Sequence, residues 1–249
     1  MNGLITAIRT LTAIPCPGKD ADEMSDALPW FPIVGLLLGI ALLTIALSIQ
    51  KITGQNSPEI TAIIVVLGGA LLTRGMHLDG LADWADGFWG SMQREKVLEI
   101  MKDSCNGSFG TIALITITIT KWVCITNLLH NLAGIWIVVA MVISRTIQVN
   151  LASLYPYARQ NDGTGAPFIK NAGSKHAMLA TLFTFIILAI LLRAIWAPVI
   201  ALALGWIISI LFGSWSRRRI GGITGDIIGA GSELTETAML FLGIMLSHA

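Results

Sequence analysis

The feature that most constrains this chain is a series of long apolar segments that carry few charges. The clearest runs from Trp30 to Ile49 without a single Asp, Glu, Lys or Arg. About 20 such residues are enough for a helix to cross the roughly 30 Å of hydrocarbon in a bilayer. Further apolar segments lie near residues 59–76, 109–129, 132–154, 177–195, 196–213 and 227–248. Because the backbone cannot bond to water inside a bilayer, this pattern predicts an all-α, polytopic transmembrane helix bundle of about seven spans.

Composition favours a single integral membrane domain over residues 1–249. Hydrophobic residues make up 54% of the chain and charged residues 12%, and the mean hydropathy is +0.74. Soluble domains carry about 25% charged residues. The lipid bilayer is therefore the first partner that the sequence predicts, and the net charge of +1 gives no reason to expect nucleic acid as another.

The basic residues predict how the chain is oriented. Met1–Ile14 is amphipathic and short, which predicts an interfacial helix that ends at Pro15 and Pro17. If this end is cytoplasmic, it shares its side with the segments near 74–108, 155–176 and 214–226. Those four segments hold Arg9, Lys19, Arg74, Arg94, Lys96, Lys102, Arg159, Lys170, Lys175, Arg217, Arg218 and Arg219, and the other side has little beyond Lys51, Lys121 and Arg193. The positive-inside rule then predicts a multi-pass protein of the cell (inner) membrane with a cytoplasmic N-terminus.

The acidic residues cluster on the same side, with Glu59 as the exception, and the densest group is His77–Gly87. Asp79, Asp83 and Asp86 are spaced i, i+4, i+7, which places them within about a 60° wedge of a helix. Three anions on one face repel each other, and a divalent cation relieves that repulsion. Carboxylate ligands of this kind suit Mg²⁺ shared with substrate phosphates. The alternative is a solvated polar helix end.

A second acidic group follows a glycine-rich turn near the end of the chain. Gly221–Asp226 continues to Glu233 and Glu236, and Asp226 and Glu233 are seven residues apart, so they are nearly eclipsed on a helix. Small residues at helical spacing also serve helix packing, but packing explains only the glycines. The acids therefore favour a functional site that faces the first carboxylate cluster.

Two cytoplasmic segments combine basic residues with turn-forming ones. Lys102 and Asp103 precede Gly107 and Gly110, while Arg159 precedes the loop 161–165, which contains Asp162. A cationic side chain beside flexible backbone is suited to holding phosphate. An ordinary basic cytoplasmic loop is the alternative for either segment.

Taken together, these segments resemble the cobalamin synthase family, the adenosylcobinamide-GDP ribazoletransferases. The resemblance covers nearly the whole chain and includes Thr12–Pro15 before the first span. The matching blocks are His77–Gly87, Met101–Ser104 with Gly107 and Gly110, Tyr155–Arg159 with Asp162 and Gly163, and Gly221–Asp226 with Gly229 and Glu233, in the family's order. Two departures are Trp84, where a small or hydroxyl residue is expected, and Cys105–Asn106, where a basic one is expected.

The resemblance implies a Mg²⁺-dependent phosphotransferase that completes the nucleotide loop of adenosylcobalamin. A ribose hydroxyl of α-ribazole, or of its 5′-phosphate, would attack the phosphoryl group on the aminopropanol arm of adenosylcobinamide-GDP, and GMP would leave. The implied metal ligands are Asp79, Asp83, Asp86 and Asp226; the implied proton acceptor is Asp86 or Glu233; and the implied phosphate-binding residues are Lys102, Asp103, Arg159 and Asp162. The active site would lie on the cytoplasmic side.

Two other functions are weighed against this one. A CDP-alcohol phosphotransferase also uses aspartates at a cytoplasmic helix end, but its pattern has an Ala-Arg pair after Asp-Gly, whereas Leu81–Asp83 follows Asp79–Gly80 here. A cation-coupled secondary transporter would place acids near the bilayer midplane and repeat its halves. The sequence leaves open the choice between ribazole and its phosphate, the number of metal ions, the orientation of the corrin and whether the protein is a homo-oligomer.

Overall fold

A computed structural model describes residues 2–53, 57–159, 163–192 and 196–247, and these are almost entirely helical. A 3₁₀ helix, Met24–Trp30, precedes the first long helix. The α-helices are α1 (Asn2–Leu11), α2 (Phe31–Thr53), α3 (Pro58–Leu72), α4 (Met76–Gly90), α5 (Arg94–Ile100), α6 (Ser108–His130), α7 (Ile135–Leu154), α8 (Ala166–Lys170), α9 (Ser174–Leu191), α10 (Trp196–Ile220) and α11 (Gly225–Ser247). The prediction of an all-α bundle is confirmed.

The number of membrane-spanning helices also agrees with the sequence. Within the described ranges, six helical segments are long and apolar enough to cross a bilayer, and α3 with α4 would make a seventh if this bent pair is one span. These helices begin and end within several residues of the predicted apolar segments. Local hydrophobicity therefore located the spans correctly, because each segment has to be apolar along its own length.

The chain bends sharply in front of the first carboxylate motif, which the hydrophobic pattern alone does not predict. The motif forms a separate helix, α4, at 88° to α3. Arg74 and Gly75 make the corner with φ angles of 57° and 67°, a left-handed conformation that glycine adopts easily and arginine rarely. The Arg74 guanidinium donates to the carbonyls of Arg9 (2.7 Å) and Thr12 (2.9 Å) and so fixes this corner against the end of α1.

Helix α7 forms the centre of the bundle. In the most apolar stretch of α7, 94% of the residues are buried, compared with 28% in the corresponding stretch of α9. The reason is that α2, α9, α10 and α11 all pack against α7. A helix surrounded on all sides is expected to be apolar all round. Yet α7 also carries buried polar side chains: Ser144, Arg145, Thr146, Gln148 and Asn150. Such groups need polar partners inside the protein.

Helices α4 and α11 approach closely because glycines line their contact. A Cβ atom added to Gly80 would lie 2.9 Å from the carbonyl oxygen of Asp226, and one added to Gly229 would lie 3.3 Å from the Cα atom of His77. Any side chain at Gly80 would therefore push the helices apart. The small residues of the two motifs bring their acidic residues together.

Trp84 belongs to an aromatic cluster between α4 and α10. Its ring centroid lies 4.9 Å from that of Trp89, 5.4 Å from that of Phe212 and 5.8 Å from that of Trp215. These edge-to-face contacts bury the indole, which is 7% exposed, and such aromatic pairs stabilise packing beyond their area alone. The large residue in the motif thus faces α10 and anchors α4 to it.

Candidate active site

The sequence blocks meet at one end of the bundle. The segment after α7 pairs with the loop before α11: the amide of Ala158 donates to the carbonyl of Ile223 (2.8 Å), and the amide of Ile223 donates to the carbonyl of Pro156 (2.9 Å). Arg94, just before the Met101 block, donates to the carbonyls of Ile220 (2.8 Å) and Ala158 (3.0 Å). These bonds hold the loops beside α4 and give the site a fixed frame.

Asp79, Asp83 and Asp226 lie together at this end. Asp79 is exposed, Asp83 and Asp226 are partly buried, and the Asp83 carboxylate interacts electrostatically with both of the others. Of the residues that the structure describes, none donates a hydrogen bond to the side chain of Asp79 or Asp83. Two carboxylates that lie beside a third and accept no hydrogen bond favour the binding of a cation.

Asp226 differs from these two because it already has a cationic partner. A terminal guanidinium nitrogen of Arg159 lies 3.1 Å from Asp226 Oδ2 and 3.2 Å from the carbonyl oxygen of Met101. The Thr224 hydroxyl donates to the same Oδ2 atom at 3.2 Å, and the Arg159 Nε atom is buried without a hydrogen-bond partner among the described residues. Arg159 and Thr224 therefore orient the Asp226 carboxylate together.

Two cavities adjoin this ion pair. The first, which we call the charged cleft, has a volume of about 550 Å³ and is lined by Arg94, Glu95, Leu98, Glu99, Lys102, Ala158 and Arg159. The second, the apolar cavity, has a volume of about 500 Å³ and includes Asp79 and Asp226 in its wall. Arg159 faces the cleft and its partner Asp226 faces the cavity. The Arg159–Asp226 pair thus lies between the charged cleft and the apolar cavity.

Asp86 was predicted to be a metal ligand or base, and it lies close enough to Asp83 to interact with it electrostatically, but both of its carboxylate oxygens already accept backbone amides. Its Oδ2 atom accepts the amide of Gly107 at 2.7 Å and its Oδ1 atom accepts the amide of Gly110 at 2.9 Å. Gly107 directly precedes α6 and Gly110 lies in its first turn, and a carboxylate at that position satisfies amides that lack a partner within the helix. The geometry gives Asp86 a structural role, and it also accounts for the two glycines.

Glu233 is placed away from the predicted site. It lies two turns further along α11 than Asp226, about 10 Å deeper, and it is 5% exposed. Its Oε2 atom is 2.6 Å from the Lys121 Nζ atom, which lies 2.7 Å from Glu236 as well. Glu236 in turn lies 3.5 Å from Arg145. Glu233 is therefore part of a buried ion cluster (Lys121, Arg145, Glu233 and Glu236) that joins α6, α7 and α11.

The sequence reasoning missed a polar chain between this cluster and the carboxylate site. Arg145 donates to the Ser232 hydroxyl at 3.3 Å, the Gln148 amide donates to the same hydroxyl at 2.8 Å, and the Gln148 nitrogen lies 2.8 Å from His77 Nε2. The available signal was an arginine and a glutamine inside an otherwise apolar segment, since intramembrane polar residues require partners. Lys121 was assigned to the outer side, whereas it is buried in the bundle.

The remaining predicted residues belong to the loops. Lys102 is exposed and lines the charged cleft. Asp103 is exposed, and its side chain accepts the backbone amide of Cys105 at 3.0 Å, a local turn contact. Asp162 lies outside the described residues, so its part in the site stays a prediction.

Comparison with known proteins decides the family. The family model described as cobalamin-5-phosphate synthase matches residues 3–244. The chain belongs to this family.

Full-length relatives of the cobalamin-5-phosphate synthase family support the assignment. The chain is 45% identical over 246 residues to the adenosylcobinamide-GDP ribazoletransferase of Chlorobaculum tepidum, which covers 98% of this chain and 96% of the relative. It is 33% identical over 244 residues to the enzyme of the same name from Clostridium tetani, covering 97% and 94%. No solved structure matches the chain. The resemblance seen in the sequence motifs is confirmed.

The metal site expected for the cobalamin-5-phosphate synthase family can be tested against the residues present. Within the described residues, no three His, Cys, Asp or Glu side chains stand close enough together to enclose a metal ion. Mg²⁺ rarely needs such a cage, because it commonly takes one or two carboxylates and completes its octahedron with water and substrate phosphates. Asp79 and Asp83, which have no hydrogen-bond donor among the described residues, fit that kind of shared site.

Proposed function

We propose that the protein is an adenosylcobinamide-GDP ribazoletransferase that joins α-ribazole, or its 5′-phosphate, to adenosylcobinamide-GDP and releases GMP. The observation that carries the proposal is the meeting of Asp79, Asp83 and the Arg159–Asp226 pair at one end of the bundle. Family membership over nearly the whole chain supports the same reaction. A substrate with phosphate groups needs cationic side chains beside the carboxylates, and this end of the bundle provides cationic and acidic side chains together.

The chain's own residues can be assigned steps of this transfer. The ribose hydroxyl oxygen forms a bond to the phosphorus atom attached to the aminopropanol arm, and the bond from that phosphorus to the GMP oxygen breaks. Asp83 takes the hydroxyl proton, since it is partly buried, has no hydrogen-bond donor among the described residues and lies beside Asp79 and Asp226. This assignment replaces Asp86 and Glu233, whose carboxylates are already bound elsewhere.

The charges of the two phosphates are divided between metal and protein. Asp79 and Asp83, together with water and substrate phosphates, would hold Mg²⁺, which when bound supplies positive charge at the phosphoryl group that is transferred. Arg159 and Lys102 line the charged cleft and bind the phosphate that leaves with GMP. The acidic and basic residues at this end thus have separate tasks.

We place this end of the bundle in the cytoplasm, at the inner face of the cell membrane. Arg9, Arg74, Arg94, Lys102 and Arg159 all belong to the same end, and the positive-inside rule assigns such an end to the cytoplasm. The nucleotide substrate is available on that side. The transporter alternative gains no support from the acids deeper in the bundle, because Glu233 and Glu236 are paired with Lys121 and Arg145.

The test is a reconstitution with the full chain in lipid nanodiscs. With Mg²⁺ and adenosylcobinamide-GDP present, GMP should appear only when α-ribazole or its 5′-phosphate is added, and the corrin product should carry the new phosphodiester. Asp83→Asn in the same nanodiscs serves as the inactive control. GMP release without the nucleoside, or no release with it, would overturn the proposal.

A further inference from the structure

The apolar cavity has a lining that the phosphate chemistry does not use. It is bounded by α1, the 3₁₀ helix, α2, α4, α7, α8 and α11. Its apolar side chains include Leu28, Phe31, Met76, Phe168 and Ile228, and Arg9 and Arg74 add positive charge to its wall. The rings of Phe31 and Phe168 are 6.1 Å apart at an angle of 58°. A volume of about 500 Å³ falls within the usual range for small-molecule sites, which are mostly apolar with a few placed polar groups.

The two substrates of the proposed reaction differ in the polarity of their bases. The base of α-ribazole is a benzimidazole, which is planar, uncharged and mostly apolar, whereas guanine is bordered by hydrogen-bonding groups. The charged cleft offers Arg94, Glu95, Glu99, Lys102 and Arg159, and those groups suit a nucleoside diphosphate. An aromatic surface such as that of Phe168 suits the benzimidazole, because apolar rings pack together and gain little from polar neighbours.

A buried polar pair closes one side of the cavity. His77 is 3% exposed, and its Nε2 atom is 2.8 Å from the Gln148 side-chain nitrogen, which is a donor. The His77 Nδ1 atom is buried as well, so the ring presents no accessible donor to a ligand. Recognition in the cavity therefore rests on its apolar side chains and on the charged groups in its wall.

We infer that the apolar cavity holds the base of the acceptor nucleoside between Phe168 and Met76, with the ribose at Asp79 and Asp226. This inference rests on the proposed function and adds to it the location of one substrate. The hydroxyl that attacks then comes from the apolar side of the Arg159–Asp226 pair, and the diphosphate comes from the charged side. Specificity for the base resides in the cavity, apart from the reacting groups.

Isothermal titration with the full chain in nanodiscs tests the location. α-Ribazole is titrated into wild type, Phe168→Ala and Met76→Ala in the presence of Mg²⁺, with Phe185→Ala as the matched control, because Phe185 is 43% exposed on α9 and lines neither cavity. Phe168→Ala should weaken binding of α-ribazole about tenfold or more, the scale of losing one buried aromatic contact. Binding of adenosylcobinamide-GDP should stay within about twofold in all variants.

The variants also separate failure of this inference from failure of the proposed function. If wild type neither binds α-ribazole nor releases GMP, the proposed function is overturned. If wild type does both while Phe168→Ala and Met76→Ala bind α-ribazole as tightly as Phe185→Ala, the location is overturned and the function stands. Should Phe168→Ala lose both substrates through misfolding, Met76→Ala decides, since Met76 is 41% exposed and contributes little to the core.

Discussion

Two groups of carboxylates have opposite surroundings, although their members on α11, Asp226 and Glu233, lie only about 10 Å apart along the helix. Asp79, Asp83 and Asp226 share one end of the bundle, and two of them have no hydrogen-bond donor among the described residues. Glu233 and Glu236 are buried and share the Lys121 ammonium at 2.6 and 2.7 Å. Asp226 stands between these two cases, because Arg159 pairs with it at 3.1 Å while it remains at the end of the bundle. The absence of a partner among the described residues therefore distinguishes Asp79 and Asp83 from the other acids of these two groups and makes them the best candidates for binding a cation.

The largest expected effect is on the buried side of this comparison. Lys121→Met leaves Glu233 and Glu236 without their shared ammonium, and breaking a buried pair typically costs about 3–5 kcal/mol of stability. Thermal unfolding in nanodiscs should show a large loss of stability. Lys51→Met is the matched control, because Lys51 is exposed at the end of α2. Unchanged unfolding of Lys121→Met would mean that the cluster contributes nothing to stability.

Removing charge from the other group should have the reverse result. Asp83→Asn should lower kcat about 10²–10³-fold, as expected for the loss of a base and metal ligand, while the unfolding temperature stays at or above that of wild type because one like charge is removed. Asp79→Asn should behave similarly. The measurement is GMP release beside a thermal scan of the same preparation. Full turnover in both variants would contradict the assignment of this site.

A smaller effect is expected in the charged cleft. Lys102→Ala and Arg159→Ala should each raise the KM for adenosylcobinamide-GDP about tenfold, since each removes a cation that would bind phosphate. Arg159→Ala should also lower kcat, because Asp226 loses its 3.1 Å partner. Arg218→Ala is the control, since Arg218 is exposed at the same end of the bundle. A stronger effect of Arg218→Ala than of the other two changes would mean that the phosphate binds near Arg218 and not in the charged cleft.

The smallest effect concerns Asp86, which connects α4 to α6. Asp86→Ala removes the acceptor for the amides of Gly107 and Gly110, and loss of such a cap costs about 1 kcal/mol, within a range of roughly 0.5–2. Unfolding should shift to lower temperature while kcat, measured well below that temperature, falls less than in Asp83→Asn. A kcat as low as that of Asp83→Asn would return Asp86 to the catalytic group.

The helices and their order could be predicted from the sequence because those properties are local. Each span is apolar along its own length, as in the Trp30–Ile49 segment, and no knowledge of the neighbours is needed to recognise it. Motif composition likewise led to the family, since the blocks around His77–Gly87 and Gly221–Asp226 are specific in themselves. The 88° bend at Arg74 was missed because hydrophobicity does not report direction.

The sequence by itself determined that this protein is an all-α membrane bundle and that Asp79, Asp83 and Asp226 belong to its motifs. Only the tertiary structure decided which acids keep free carboxylates. Asp86 lies on the same face of α4 as Asp79 and Asp83, but its carboxylate accepts backbone amides at the start of α6. Glu233 meets a lysine 112 residues away in the chain. Spacing along one helix fixes the face on which a side chain lies, whereas its partner comes from another helix, and that pairing is set by packing.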